Sequence, residues 1–128
     1  MDLEQGLTIE LSALPGLEKK VFPIVAAQGT EAPYITYVLG SSERTSDLLG
    51  NVDLIKSQYQ LDLYHPTYAG LKAFKKTVLQ RFITFNMRNL AGIGPFVQQA
   101  EIVNDYETYE FEVKLYRGII EFEIHSTE

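Results

Sequence analysis

The stretch "IKSQYQLDLY", residues 55–64, constrains this chain most. Ile55, Ser57, Tyr59, Leu61 and Leu63 fill the odd positions; Lys56, Gln58, Gln60, Asp62 and Tyr64 fill the even ones. A period of two held this long describes a β-strand with one buried and one wet face. It runs straight into "HPTYAGLKAFKKTVLQRFITFN", where the period changes. Leu71, Phe74, Val78, Phe82 and Phe85 follow at helical spacing, so a long helix starts near Pro66 or Thr67 and presents an apolar stripe.

Around this strand–helix unit the remaining elements are readable. Leu3, Leu7, Leu11 and Leu14 line one face of a helix over 2–14, with Asp2 and Glu4 at its positive end and Pro15-Gly16 closing it. A short strand is predicted at about 21–25, where Pro23 marks an edge or bulge. Behind Pro33, which biases Ala32 toward extended backbone, a strand is predicted over 34–39. "GSSERTSDLLGN", residues 40–51, has no sustained period and reads as a long loop. "NLAGIGP" is a turn region, and a strand follows over about 96–104.

After a turn at Asp105-Tyr106, alternation returns with Tyr109, Phe111, Val113 and Leu115 on odd positions. The later apolar set, Ile120, Phe122 and Ile124, is even. A one-residue slip moves every side chain to the other face, so a bulge or turn is expected near Arg117-Gly118. A single bulged strand over 109–125 is the preferred reading, with a hairpin as the alternative. The order is therefore α-β-β-β-α-β-β, an α+β domain over 1–128 with two main helices packed on a mostly antiparallel sheet.

Composition removes several function classes. At 128 residues the chain has the size of one domain. It contains no cysteine, which excludes disulfides and thiolate metal sites. No apolar run approaches the roughly 18 residues of a membrane span, and "MDLEQGLTIE" does not read as a signal peptide. The net charge of −6 is unevenly spread. Lys72, Lys75, Lys76, Arg81 and Arg88 lie between Pro66 and Leu90 with no acid among them, so that segment carries +5 and the remainder (−6 − 5) carries −11. Such bipolarity favours association with an acidic surface, including that of a second copy.

Catalytic signatures are absent: there is no HExxH, GxSxG or GxxxxGK[ST] pattern. "GIGP" at 92–95 reads as a turn. His65, at the strand–helix junction, is a conceivable general base, but no nucleophile or partner is assignable and a structural role is preferred. Glu121, Glu123 and His125 share a strand face that suits a metal in principle, although an exposed strand face looks the same. The basic helix over 67–88 fits a small nucleic-acid-binding adaptor, a solvated helix face or a subunit interface.

Taken in order, the leucine-striped helix, "VFPIVAAQGTEAPYITY", "YQLDLYHPTYAGLKAF" and "KLYRGIIEFEI" resemble the tail-completion (tail terminator, minor tail) proteins of long-tailed phages and prophages over nearly the whole chain. Pro33, Tyr34, Ile35, the strand 55–63 and Tyr116-Arg117 carry the likeness as fold-determining positions. The resemblance implies a structural virion protein of the tail and neck, assembled in the host cytoplasm. Such a protein forms a ring, commonly a hexamer, that caps the tail tube and docks to the head-completion or connector protein. It implies no catalytic residue, no cofactor, no membrane and no specific nucleic acid, with DNA passing through the ring. A ring needs two complementary patches per subunit. The candidates are Lys72, Lys75, Lys76, Arg81 and Arg88 on the basic segment, and Glu43, Arg44 and Asp47 in 40–51.

Overall fold

The computed structural model describes residues 2–46 and 52–127. Helix α1 spans Leu3–Ser12. Asp2 caps it reciprocally: its carboxylate accepts from the Gln5 N–H at 2.8 Å, and Gln5 Oε1 accepts from the Asp2 N–H at 2.9 Å. Strands β1 (Val21–Pro23), β2 (Tyr34–Ser46) and β3 (Val52–His65) follow, then α2 (Tyr68–Ile83) with Thr67 as its N-cap. A two-residue strand β4 (Arg88–Asn89) and a 3-10 turn (Leu90–Gly92) lead to β5 (Phe96–Glu110) and β6 (Leu115–Ser126).

The six strands form one sheet in the order β1-β2-β3-β6-β5-β4. The β1–β2 pair is parallel and every other pair antiparallel. The expected α+β class and its order hold, with β4 as an addition too short to show a period.

The odd face of β3 is buried as expected, from Ile55 through Ser57, Tyr59 and Leu61 to Leu63; on the even face Asp62 is buried as well, paired with Arg117. Register brings Leu61 opposite Ile120, and Tyr59 opposite Phe122 with their rings stacked at 5.5 Å. Leu7 and Leu11 of α1, and Leu71, Val78 and Phe82 of α2, join these strand residues in one core cluster. Both helices therefore lie against the same face of the sheet. Gly118 sits beneath α2, where an added Cβ would stand 3.2 Å from Leu71 Cδ1.

Three expectations are corrected. Residues 40–46 are not loop but the second half of β2, paired with β3 from Ser41↔Gln58 to Ser46↔Val52. Residues 41–44 are exposed, so nothing imposes an apolar alternation there, and the backbone ladder alone makes the strand. Residues 47–51, including Asp47, lie outside the described residues.

Asp105 and Tyr106 are not a turn; they lie within β5, opposite Ile120 and Ile119. Finally, 109–125 is a hairpin and not one bulged strand. The turn is 111–114, closed by Glu110↔Leu115, with Lys114 at φ 56°. The parity change belongs to this turn: Phe111 and Val113 are apolar yet 82% and 54% exposed at its tip. Bulges occur instead in β2 at Gly40 and in β5 at Gln98 and Val103; Gly40 and Val103 lie beside the row Leu39–Tyr59–Phe122–Ile102.

Candidate subunit and partner interface

The basic residues of α2 are held by two acids that are remote in sequence. Glu107 projects from β5 toward α2 because its register partner, Gly118, lies on the helix-covered face. Lys72 Nζ donates to Glu107 Oε1 at 2.5 Å, and Lys75 Nζ donates to Glu107 Oε2. Lys75 also lies 3.6 Å from Asp105. Hydrogen bonds from Lys72 and Lys75 hold the Glu107 carboxyl down at a pKa of about 2. Lys75 is itself buried, its stem lying beside Gly118.

At the other end of α2, the buried Glu10 of α1 receives three groups. Arg88 Nη1 donates to its Oε2, and the Ala91 N–H donates to the same oxygen at 2.8 Å. Arg81 Nε lies 3.8 Å from Oε1, buried and without a hydrogen bond of its own. The Arg88 hydrogen bond, supported by Ala91 and Arg81, lowers the Glu10 pKa despite burial, and Arg88 is raised reciprocally.

Of the five predicted basic interface residues, Lys72, Lys75, Arg81 and Arg88 are thus engaged within the chain. Lys76 is exposed and has no ion pair among the described residues, and Lys72 keeps a half-exposed side chain. Glu43 and Arg44 are exposed near the far end of β2; their register partners Lys56 and Ile55 put them on opposite faces of the sheet. Neither Glu10 nor Glu107 was singled out from sequence. The available signal was parity: Asp105, Glu107 and Tyr109 share one face of β5, and Glu10 adjoins the leucine stripe.

The helix-free face of the sheet is polar. Arg117 bridges Asp62 at 2.9 Å and Glu110 at 2.9 Å, its guanidinium 6.0 Å from the centre of the Tyr64 ring, which stacks on Tyr34. Glu123 accepts from Gln58 at 2.8 Å and lies 3.7 Å from Lys56 and 3.9 Å from His125. Among the described residues no three His, Asp or Glu side chains converge as metal ligands. Glu101, Glu121 and Glu123 leave this face acidic.

His65 completes the start of α2. Its Nδ1 accepts the Thr67 N–H at 3.1 Å, and its ring covers Gly70, where a Cβ would fall 1.9 Å from Cε1. A cleft of about 600 Å³ lies where the sheet extends past α1, lined by Leu3, Leu39, Arg44, Ile55, Tyr59 and Pro95 among others. Its lining contains no histidine, hence no nucleophile–imidazole pair. No described helix is long and apolar enough to cross a membrane.

No protein-family model matches the chain, and no curated protein matches it. Among solved structures, a chain from the virion of the native gene transfer agent (GTA) particle is similar in fold, with a TM-score of 0.69 at 14% identity. The similarity covers 97% of this chain and 93% of that one. The fold this chain shares with it is the two-helix, mostly antiparallel sheet domain described above.

Proposed function

We propose that this protein is a structural component of a phage or prophage virion: a tail-completion protein that self-assembles into a ring, caps the tail tube and docks it to the head-side connector. The observation that carries this reading is the fold similarity to a virion chain, which runs almost end to end in both chains. The ordered sequence blocks that resemble tail-completion proteins support it independently. A ring of one chain uses a heterologous joint. Lys76 and Glu43 are exposed, and either can meet a neighbour across it.

The nucleic-acid adaptor reading loses its footing at Glu107 and Glu10. Phosphate binding needs cations free to replace counterions, and these acids already engage most of the basic helix. An acidic helix-free face suits a lumen through which DNA slides without sticking.

Native mass spectrometry with and without purified tail tubes tests the proposal. A ring on its own, or one formed on tube ends and visible by negative-stain microscopy, is expected. A chain that stays monomeric, leaves tube ends bare and binds DNA at physiological salt overturns it.

A further inference from the structure

The sheet has two long open edges, and they differ. On β2, the Ile35 N–H donates to Lys20 O and Tyr37 O accepts from the Ile24 N–H. Odd residues therefore turn their backbone groups outward there, until the bulge at Gly40 shifts the outward set to even positions such as Ser42. On β5, Val97 O accepts from the Met87 N–H and the Ala100 N–H donates to Asn86 Oδ1. Beyond the bulge at Val103 the outward set is Asp105, Glu107 and Tyr109. Strand β1 covers only Ile35–Tyr37, and β4 only Phe96 and Val97. Among the described residues no other strand pairs with the outer edge of 38–46 or of 98–110. Long bare edges of this kind template strand addition unless something covers them.

We infer that the β2 edge of one copy pairs with the β5 edge of the next, joining the sheets of neighbouring subunits into one. This rests on the ring reading above. The order β2-β3-β6-β5 alternates in direction, so β2 and β5 run oppositely, and a rotation that continues the sheet brings them together antiparallel. The pair is heterologous, which a ring requires. Because β1 and β4 cap the starts of two opposed strands, they block opposite ends and act as stops that limit the register. Pairing of two β5 edges is opposed by Glu101 on both sides, whose charge no ion pair offsets among the described residues, whereas residues 38–46 carry one acid and one base. Strand addition of this type draws its affinity from main-chain hydrogen bonds.

The absence of native cysteine makes crosslinking a clean test. Ser41→Cys is combined in turn with Gln99→Cys, Glu101→Cys, Asn104→Cys and Tyr106→Cys, all on the helix-free face. A disulfide needs Cα atoms within about 7 Å, so it reports an actual register. In assembled rings, at least one pair is expected to give a ladder of covalent oligomers on a non-reducing gel, while each single-cysteine variant stays monomeric there. Rings that form while none of the four pairs crosslinks overturn the edge joint and leave the ring standing. Dimers from single-cysteine variants show two-fold pairing and also overturn it. Failure of every variant and of the parent chain to form a ring, alone or on tubes, removes the functional reading itself.

Discussion

Arg88 Nη1 donates to Glu10 Oε2 at 2.5 Å, joining the first helix to the segment after the second across 78 positions of sequence. The carboxylate is buried and also accepts the Ala91 N–H, so one acid fixes α1, the end of α2 and the turn before β5. A residue that composition suggests for an interface is thereby a fold element.

Glu10→Ala should therefore destabilise the monomer by about 2–4 kcal/mol, because it strands Arg88 and the Ala91 N–H. Arg88→Ala should cost less, since its guanidinium is partly solvated. The double variant should fall short of the sum by about 1–3 kcal/mol. Urea denaturation of the four proteins measures the coupling; strict additivity would mean the pair is not energetically joined.

Stability should fall with acid in a defined window. Glu107 titrates near its ordinary value of about 4.5 in the unfolded chain and at about 2 in the folded one. A lowered folded pKa contributes stability that is complete above about pH 4.5 and is lost as the pH falls toward 2. Glu10 is shifted in the same direction and adds to the slope. Glu107→Gln should flatten the pH dependence of the melting temperature below pH 4.5. An unchanged slope in that variant would show that Lys72 and Lys75 do not hold the carboxylate in solution.

What the sequence reveals follows from where side chains are forced to choose. The face of β3 from Ile55 to Leu63 is legible because one side is sealed by helices. The outer half of β2 is illegible because residues 41–44 are exposed and no burial pattern marks them. Phe111 and Val113 misplace the hairpin turn because they are apolar at an exposed tip, so parity counts them as strand. The cations of α2 are plain in composition, but their acids, Glu10 and Glu107, come from strand register and helix packing that no local pattern encodes. The order of blocks anticipates the fold because each block is a strand or helix boundary. The interface is less legible, since an open edge exists only once the strand order is known.

Gly6→Ala tests how closely α1 approaches the turn at Leu90. Alanine favours a helix interior over glycine by about 1 kcal/mol. Here its Cβ would stand 2.9 Å from Leu90 Cβ, an atom fixed next to the backbone. Overpacking of that kind costs about 1–3 kcal/mol. A fall of several degrees in melting temperature is expected. A rise would mean that α1 withdraws freely from Leu90.

The acidic helix-free face gives a charge-reversal experiment. Glu101 and Glu121 lie on adjacent strands of that face, since Glu101 pairs with Glu123 and Asn104 with Glu121. No ion pair holds either carboxylate among the described residues. Glu101→Lys with Glu121→Lys shifts the net charge by +4, from −6 to −2, and turns the centre of the face basic. Both side chains are outside the core, so the melting temperature should change little. If this face lines a DNA passage, the assembled variant should retain duplex DNA at low salt, while the parent ring releases it. Retention should fall steeply with added salt, as counterion release requires. Equal release by parent and variant rings would place these acids away from the DNA path, and would move the lumen to another surface of the subunit.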